Sequence, residues 1–368
     1  MTEKRTVAVL FGGQSGEHEV SLISAQAVMA ALDPAKYRLL PIGITRQGEW
    51  IAGAEAMPRL LAAADPARLP ADAGSGAPPA TRIELVQLDP TSNATLLPAV
   101  FRLLPAEIDV VFPVLHGPMG EDGTVQGLLE LAGLPYVGCG VAAGAVGMDK
   151  ALMKAAFAAA DLPLLPWSLV RRMDWQRNPE QIYAQIETQL DYPLFVKPAN
   201  MGSSVGISKA CDRAGLEAAL AEAARYDRRI VVEQGIPARE IEVSVLGNDE
   251  PEVSLPGEVT PSGEWYDYAA KYLSGQSAIT IPAPLSAEQT EMVRSLARRA
   301  FIAVDGSGLA RIDFLLDKES GALWLNEINT MPGFTSISMY AKMWAASGLA
   351  YSALLDRLIE FALERATR

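Results

Sequence analysis

The sequence predicts an α/β protein that begins with a doubly wound parallel sheet. Two stretches carry this prediction: an apolar run at residues 7–11 that enters a glycine turn before the helical pattern of residues 21–32, and a continuous apolar run at residues 108–115. Continuous apolar runs are typical of strands buried on both faces, as in parallel sheets. A third stretch, residues 311–329, alternates as an antiparallel hairpin and adds α+β character. The chain of 368 residues has room for two or three domains of about 100 to 200 residues each.

A glutamate, Glu17, stands between the first glycine turn and the first helix. A glycine turn at a helix N-terminus can bind an anion, but the carboxylates of Glu17 and Glu19 would repel a phosphate. Two interpretations of Glu17 fit the local sequence. It is either the counter-charge for a substrate's ammonium group or a first-turn carboxylate that stabilises the helix dipole.

The first unit continues to residue 138. A second strand is expected at residues 38–45, and residues 52–82, which are rich in Ala, Pro and Gly, are expected to be an insertion or a mobile surface segment. His116 follows the buried strand, at the edge where open α/β sheets bind ligands. This position favours a role in a site over a structural role in a loop. A helix at residues 124–131 and a short strand at 136–137 complete the unit.

The second unit contains a glycine- and serine-rich loop between two apolar strands. A helix at residues 146–160 carries Lys150, a strand ends in Lys197, and the loop at residues 198–206 leads into a strand at 205–207. Backbone N–H groups and hydroxyls in such a loop can close over phosphates, with Lys197 as a point charge at its base. We therefore predict a phosphate flap.

Two other uses of this loop are excluded by the sequence. The loop lacks the GxxxxGK[ST] pattern of P-loop nucleotidases. Residues 202–206 match the GxSxG nucleophile elbow of hydrolases, but that fold places its histidine after the serine, and the last histidine of this chain is His116.

The third unit begins where a strand at residues 230–232 reaches Glu233. A strand that ends in a linker suits a hinge for an adenine ring. A long aromatic loop at residues 265–274 suits a lid that excludes water. The remaining expected elements are strands at residues 240–246 and 251–259 and helices at residues 286–301 and 349–368.

The hairpin of the third unit presents polar groups. At a period of two residues, Arg311 and Asp313 share one face of the first arm, and Leu325, Glu327 and Asn329 share one face of the second arm. Asp313, Glu327 and Asn329 would supply the hard oxygen ligands that Mg²⁺ prefers. Arg311 suits a phosphoryl group or an oxyanion. The alternative is an edge hairpin with solvated charges.

Composition limits the class of partner. The 31 basic and 44 acidic residues give a net charge of -13, which argues against a nucleic-acid surface. No apolar run approaches the roughly 18 residues of a membrane span, and the start of the chain lacks a signal-peptide pattern, so the cytoplasm is the expected location. The two cysteines and two histidines have no metal spacing, so zinc is not expected.

With these pieces in place, the sequence resembles the ATP-grasp superfamily and, within it, the D-alanine–D-alanine ligases over essentially its whole length. The motifs that carry the resemblance are GGQSGEHEVS at 12–21, LHGPMGEDGTVQG at 115–127, MDK at 148–150, VKPANMGSSVG at 196–206, YDYAAKYLSG at 266–275, RIDF at 311–314 and NEINTMPGFTSIS at 326–338. The resemblance implies an N-terminal substrate-binding domain at 1–138, followed by a two-domain ATP-grasp fold. Its central subdomain at 139–232 would carry the flap, and its C-terminal subdomain at 233–368 would carry the lid and the metal hairpin.

The resemblance also implies roles for individual residues. Those implied to bind ATP are Lys150, Lys197, Ser203, Ser204, Glu233, Gln234, Gly235, Ile236, Glu240, Lys271 and Asn326. Those implied to bind the two D-alanine molecules are Glu17, Val20, Ser21, His116, Tyr272, Arg311, Gly333, Ser338 and Met339. Those implied to be catalytic are Glu17, Ser203, Tyr272 and Arg311. The implied ligands of two Mg²⁺ ions, for which Mn²⁺ can substitute, are Asp313, Glu327 and Asn329.

The resemblance implies an ATP-dependent ligation of two D-alanines to D-alanyl-D-alanine through a D-alanyl phosphate. This step belongs to peptidoglycan precursor synthesis and so serves cell-wall biogenesis and cell shape. The alternative is a D-alanine–D-lactate ligase or another carboxylate–amine ligase of the same fold; Tyr272, commonly replaced in ester-forming relatives, favours the dipeptide. A non-catalytic nucleotide-binding module would be expected to have lost its ligand set, which is intact here. A homodimer is also implied.

Overall fold

The computed structural model describes residues 4–69, 108–260 and 278–367. Within these ranges the chain forms three β-sheets that follow one another along the sequence. Apolar side chains from the helices are buried against each sheet. The mixed α/β fold predicted from the sequence is confirmed.

The first sheet is built from the N-terminal part of the chain. Its elements and the helices between and after them are β1 (Arg5–Gly12), α1 (His18–Ala31), β2 (Tyr37–Ile44), β3 (Trp50–Ala52), α2 (Ala56–Ala63), β4 (Val110–Val114) and α3 (Thr124–Leu131). The strand order is β3-β2-β1-β4. The central strand β1 is parallel to β2 and to β4, whereas β3 is antiparallel to β2.

The second sheet is antiparallel and carries the predicted flap. The elements of this part of the chain are α4 (Val141–Met148), α5 (Lys150–Ala159), β5 (Trp167–Arg171), α6 (Arg172–Arg177), α7 (Pro179–Gln189), β6 (Leu194–Pro198), β7 (Ser208–Ala210), α8 (Arg213–Tyr226) and β8 (Arg229–Gln234). The strand order is β5-β8-β6-β7, and every pairing is antiparallel.

The third sheet carries the polar hairpin. Its elements and the helices that follow are β9 (Ala238–Gly247), β10 (Glu252–Val253), β11 (Gly257–Thr260), β12 (Ala278–Thr280), α9 (Ala287–Ala303), β13 (Gly308–Asp317), β14 (Leu323–Asn329), α10 (Met339–Ala346) and α11 (Tyr351–Ala366). Among the described strands the order is β12-β11-β9-β13-β14, and β10 pairs with β9. The long strand β9 lies beside β13, so it faces the hairpin directly.

The first sheet is covered on both faces, as a doubly wound sheet requires. Alternate residues of β1 point to opposite faces. Phe11 is buried with residues of α1, α2 and the closing helix α11, whereas Leu10 is buried with residues of α3. The closing helix therefore belongs to the core of the first unit although it ends the chain.

The helices α4 and α5 pack against the third sheet. Met153 and Phe157 of α5 are buried beside Ile241 of β9. Both helices lie in the stretch predicted as the central domain, at residues 139–232. The division of the chain into these three domains stays a prediction. No helix in the described part of the chain is long and apolar enough to cross a membrane.

Several expectations about local structure are wrong. The strand expected at 205–207 begins only at Ser208, and residues 136–137 form an isolated bridge to β4 rather than a strand. Residues 52–82 were expected to be an insertion or a mobile surface segment, yet α2 buries Ala56, Met57 and Leu60. Residues 70–82 lie outside the described residues. The helix expected at 146–160 is two helices, because the Asp149 side chain caps α5 by accepting hydrogen bonds from two backbone N–H groups at 3.0 and 2.9 Å. The strand expected at 251–259 is broken at Pro256, which has no N–H for the ladder.

The second arm of the hairpin also departs from simple alternation. Asp313 pairs with Glu327, but the next residue, Phe314, pairs with Leu325, so Asn326 is an extra residue in β14. This β-bulge shifts the alternation by one residue. The period of two had predicted that Leu325 shares a face with Glu327 and Asn329. Because of the bulge, Leu325 is instead buried in the core.

Candidate active site

The predicted flap, residues 198–206, reaches from the second sheet to the first unit. The hydroxyl of Ser203 donates a hydrogen bond to the Glu17 carboxylate, at the start of α1. Lys150, at the start of α5, donates from Nζ to the carbonyl of Met201 at 2.6 Å. Ser203 and Ser204 have φ angles of 49° and 59°, in the left-handed region that side chains rarely adopt. The flap is thus held in a strained backbone conformation by contacts to two other parts of the chain.

A cavity of about 490 Å³ lies between the second and third sheets. We call it the nucleotide cavity. It brings together most of the residues predicted to bind ATP, which are Lys197, Ser204, Glu233, Gln234, Gly235, Ile236, Glu240 and Asn326. The predicted metal ligands Asp313 and Glu327 line the same cavity.

A second, smaller cavity of about 90 Å³ lies under the flap. We call it the flap cavity. Its lining includes predicted residues from all three units, which are Glu17, Lys150, Ser203, Ser204, Arg311, Glu327 and Asn329. Ser204 and Glu327 line both cavities, so the two adjoin at the flap and the hairpin. This arrangement places a polar reaction space next to a space of the size of a nucleotide.

Lys154, Lys197 and Glu233 form a buried charge cluster at one side of the nucleotide cavity, which we call the two-lysine cluster. Lys154 donates to Glu233 Oε1, and Lys197 donates to Glu233 Oε2 at 2.7 Å. Burial opposes the charge on Glu233, but the two lysines outweigh it and lower the pKa of Glu233 to about 2. Burial also opposes the charge on Lys154 and lowers its pKa, although the charge of Glu233 acts in the other direction. The carboxylate predicted to meet the adenine is therefore ionised and held on both oxygens.

Arg311 lines the flap cavity and is held by two carboxylates that line the nucleotide cavity. Its Nε and Nη2 donate to the two oxygens of Asp313 at 2.7 and 2.6 Å, and its Nε lies 3.2 Å from Glu242 Oε2. Burial lowers the pKa of Arg311, but the charges of Asp313 and Glu242 raise it well above its usual range. A fixed, permanently charged guanidinium suits an oxyanion or a phosphoryl group. Glu242, on β9, was not predicted, although its alternation with Glu240 along β9 marked it as a second inward-facing carboxylate.

The predicted metal ligands come from adjacent strands. Asp313 and Glu327 are paired across β13 and β14, and Arg311 is paired with Asn329. The Oδ1 atom of Asn329 is buried without a hydrogen-bond partner in the described part of the chain. A buried acceptor that lacks a donor fits a cation ligand. The described residues contain no cluster of three or more His, Cys, Asp or Glu side chains suited to a metal ion; the predicted set has two carboxylates and one amide.

Glu121 lines the flap cavity and was missed by the sequence prediction. It accepts a hydrogen bond from the Gly117 N–H at 2.7 Å. On the other side of Gly117, a Cβ atom at that position would lie only 2.9 Å from Glu17 Oε2, so the two carboxylates flank this glycine. Burial, together with the charge of Glu17, raises the pKa of Glu121 to about 8. The signal available in the sequence was its position, because Glu121, like His116, follows the buried strand predicted at residues 108–115, at the edge where open α/β sheets bind ligands.

His116, Val20 and Ser21 lie in the first unit without lining the flap cavity. The His116 ring is buried, with Nδ1 3.0 Å from the carbonyl oxygen of Met331 and Nε2 3.3 Å from Ser24 Oγ. Burial lowers the pKa of His116. The Ser21 hydroxyl accepts from the Gly12 N–H at 2.8 Å and donates to the Val114 carbonyl. These contacts join β1, β4 and the turn after β14, and the predicted substrate contacts of His116, Val20 and Ser21 stay predictions.

The remaining predicted residues lie around the turn between β14 and α10 or outside the described residues. Ser338 accepts a hydrogen bond from the Thr335 N–H at 3.0 Å and begins α10, whereas Met339 is buried. Gly333 lies in the turn between Met331 and Phe334. Lys271, Tyr272 and the predicted lid lie outside the described residues. Their predicted roles stay predictions.

A larger cavity lies elsewhere in the described part of the chain. It has a volume of about 1040 Å³ and is lined by the first unit, with Trp50, Leu115 and Leu128 among its apolar walls. Glu130 is the one carboxylate in its lining. Phosphoryl chemistry needs cations and oriented donors. The smaller pair of cavities supplies them, so size does not identify the active site here.

Comparisons with known proteins point to one family. The family model for the D-ala D-ala ligase N-terminus matches residues 6–139, and that for the D-ala D-ala ligase C-terminus matches residues 156–360. The chain is 53% identical over 362 residues to a D-alanine–D-alanine ligase of Heliobacterium modesticaldum, covering 98% of this chain and 95% of that protein. It is 49% identical over 373 residues to the ligase of that name from Geobacillus thermodenitrificans, covering 98% and 96%.

Two solved structures share the fold. The D-alanine-D-alanine ligase of Coxiella burnetii matches with a TM-score of 0.79 and 38% identity, covering 100% of this chain and 96% of that chain. A D-Ala:D-Ser ligase of Enterococcus faecalis matches with a TM-score of 0.79 and 35% identity, covering 98% and 100%. A flap and an acidic hairpin that enclose adjoining cavities between two sheets define an ATP-grasp enzyme. Within that class, the chain belongs to the D-alanine–D-alanine ligase family.

Proposed function

We propose that this protein joins two D-alanine molecules into D-alanyl-D-alanine with the consumption of ATP. One observation carries the proposal: Ser203 on the flap contacts Glu17 of the first unit directly above a cavity that also contains Lys150, Arg311 and Glu327. A nucleotide cavity adjoins it through Ser204 and Glu327. The family of the chain supports the same reaction.

The first step is a phosphoryl transfer. A carboxylate is a poor electrophile, so a carboxylate oxygen of the first D-alanine attacks the γ-phosphorus of ATP, and ADP leaves. Lys150 and Arg311 line the flap cavity and Lys197 lines the nucleotide cavity. From these positions the two lysines would face the phosphates of ATP, and Arg311 would face the transferred group. Phosphoryl transfer depends mainly on positioning and on neutralisation of charge. The fixed cations of the two cavities supply both.

Asp313, Glu327 and Asn329 are the residues that would hold Mg²⁺. The unpartnered, buried Oδ1 of Asn329 and the paired carboxylates beside it supply hard oxygen donors. When bound, Mg²⁺ would neutralise charge on the phosphate oxygens. Asp313 also accepts two hydrogen bonds from Arg311, so part of this pairing would have to be exchanged for the ion.

The second step forms the peptide bond. The amine of the second D-alanine attacks the carbonyl carbon of D-alanyl phosphate, and inorganic phosphate leaves. Glu17 supplies the counter-charge for the ammonium group of the first D-alanine, and Ser203 holds the Glu17 carboxylate in place from the flap. The flap limits access of water to the acyl phosphate, which would otherwise be hydrolysed.

D-alanine is favoured over D-lactate as the second substrate. Relatives of about half identity over nearly the full chain carry the name D-alanine–D-alanine ligase. The D-Ala:D-Ser ligase of Enterococcus faecalis has the same fold, so the fold alone does not select the acceptor. Tyr272, on which the sequence prediction relied, lies outside the described residues. The homodimer, the cytoplasmic location and the use of the dipeptide in peptidoglycan synthesis are part of this proposal.

Product analysis tests the proposal. Purified protein is incubated with ATP, Mg²⁺ and D-alanine, with and without D-lactate, and the products are identified by mass spectrometry while ADP is measured. We expect D-alanyl-D-alanine with one ADP per peptide bond, and little ester at neutral pH. Release of ADP only after another acid or amine is added would contradict the assignment of D-alanine as substrate.

A further inference from the structure

Lys154 was not among the predicted site residues, and it does not line the nucleotide cavity itself. It contacts Glu233, which does. Lys154 lies one helical turn after Lys150 in α5, and residues four apart share one side of a helix. Lys150 lines the flap cavity, whereas Lys154 lines neither cavity and is only 1% exposed. Its ammonium group is bound to Glu233 Oε1. Burying a lysine is unfavourable unless it is paired, so this position requires the carboxylate.

The two-lysine cluster holds one more positive charge than negative charge. Both lysines bind the same carboxylate, but their exposure differs: the side chain of Lys197 is 14% exposed and lines the nucleotide cavity. Phosphates that enter this cavity can therefore reach Lys197 but not Lys154. The excess charge of the cluster is available to the nucleotide through Lys197 alone.

We propose that Lys154 is a positioning residue that keeps the Glu233 carboxylate paired and in place while Lys197 turns from Glu233 to the phosphates of ATP. Without Lys154, this movement would leave a buried carboxylate with no charged partner, which is strongly unfavourable. With Lys154, Glu233 stays fixed at the edge of the nucleotide cavity, where the resemblance places the adenine. The inference rests on the nucleotide binding of the proposed function and goes beyond it by explaining why two lysines share one carboxylate.

The test compares nucleotide affinity in two backgrounds by titration calorimetry, with a non-hydrolysable ATP analogue, Mg²⁺ and no D-alanine. Lys154→Met keeps most of the side-chain volume, and in the free protein Glu233 keeps Lys197 as its partner. We expect the dissociation constant of the analogue to rise by about tenfold or more in Lys154→Met. In the Glu233→Gln background no carboxylate can be left unpaired, and the buried Lys154 is itself the group without a charged partner, so Lys154→Met should not raise the constant by more than about twofold there.

Two controls separate this role from a general structural one. Adenosine has no phosphates to draw Lys197 away, so its affinity should fall much less than that of the ATP analogue in Lys154→Met. Lys36→Met removes a lysine from an exposed ion pair with Asp356 and should leave both affinities unchanged. Thermal melting of each variant establishes that it is folded. If Lys154→Met alone does not fold, the double variant Lys154→Met, Glu233→Gln, which buries no unpaired charge, is compared with Glu233→Gln.

The inference is overturned if Lys154→Met binds the analogue as tightly as the unaltered protein. It is also overturned if Lys154→Met costs the same factor in both backgrounds or for adenosine and the analogue alike, since a structural defect would behave in that way. Because these titrations contain no D-alanine, they are independent of the ligation assay. A protein that binds the analogue as expected but forms no dipeptide would overturn the proposed function and leave the role of Lys154 standing.

Discussion

At the scale of single residues, the candidate site is a set of charges that neutralise one another. Arg311 is shared by Asp313 and Glu242, and Glu233 is shared by two lysines. Buried charges need partners, and here the partners are the groups that a nucleotide and its metal ion would otherwise engage. Binding of ATP would therefore exchange partners within the site rather than fill a neutral pocket.

Glu121 gives a prediction about the pH dependence of stability. Its pKa in the folded protein is about 8, whereas a glutamate in an unfolded chain titrates near about 4.3. Between these two values the folded state holds a proton that the unfolded state has lost, so the free energy of unfolding falls as pH rises from about 4.3 to about 8. Glu121→Gln cannot ionise and should be more stable relative to the unaltered protein at pH 8 than at pH 5.

Urea denaturation at the two pH values measures this difference. Glu319→Gln, at an exposed position in the hairpin turn, is the matched control. Its free energy of unfolding should differ from that of the unaltered protein by the same amount at both pH values. A Glu121→Gln difference of the same size at both pH values would contradict the assignment.

Glu327 gives a prediction about catalysis. It lines both cavities and is the predicted ligand that they share, so Glu327→Gln should lower kcat by roughly 100-fold or more through loss of a metal-binding carboxylate. The melting temperature should change little. Glu319→Gln serves as the control again, because it removes a carboxylate from the same hairpin away from both cavities. Turnover near the unaltered level in Glu327→Gln would rule out its role as a metal ligand.

At the scale of elements, the flap gives a prediction about backbone conformation. Gly206 has a φ angle of 72°, and a Cβ atom there would lie 2.6 Å from the Tyr226 ring and 2.8 Å from Pro198. Gly321, in the hairpin turn, has a φ angle of 71° with open space around it. Both glycine-to-alanine changes should cost about 1–2 kcal/mol for the left-handed conformation. Only Gly206→Ala should also displace the flap and raise the KM for ATP several-fold.

Steady-state kinetics with varied ATP, together with urea denaturation, tests this comparison. Equal KM values for the two alanine variants would mean that the flap conformation is not needed for nucleotide binding.

Much of the site could be predicted from the sequence because it depends on local patterns. Arg311 and Asp313 share a face of β13 as the period of two predicts, and the glycine- and serine-rich loop lies between β6 and β7. The bulge at Asn326 could not be predicted, because it depends on pairing with β13 rather than on any property of β14 alone. Lys154 was missed for a related reason: its helical position gives no sign of Glu233, which lies far along the chain.

At the scale of the whole molecule, the end of the chain stabilises its beginning. Helix α11 packs with β1 and α1 in the first core, and Arg365 donates a hydrogen bond to the Tyr136 carbonyl at 3.0 Å while its guanidinium lies 4.2 Å from the Tyr136 ring centroid. His116 and Met331 join the first unit to the turn after β14. The flap cavity therefore depends on contacts that close the chain on itself.

Leu358 tests this closure. It is fully buried between α11 and the first sheet, so Leu358→Ala should lower the free energy of unfolding by about 2–5 kcal/mol and speed amide hydrogen exchange in β1. Leu131→Ala, at a position 84% exposed, should change stability by less than about 0.5 kcal/mol. Faster exchange confined to the third sheet in Leu358→Ala would show that α11 does not support the first unit.

The most direct test of the central claim follows an oxygen atom. D-alanine labelled with ¹⁸O in its carboxylate is incubated with ATP and Mg²⁺, and inorganic phosphate and dipeptide are analysed by mass spectrometry. If the carboxylate attacks ATP and the amine then displaces phosphate, each phosphate released carries one labelled oxygen, and the peptide carbonyl keeps the other labelled oxygen of the first D-alanine. Phosphate without label, with the lost oxygen recovered in AMP or in water, would contradict activation of D-alanine by phosphoryl transfer in this site.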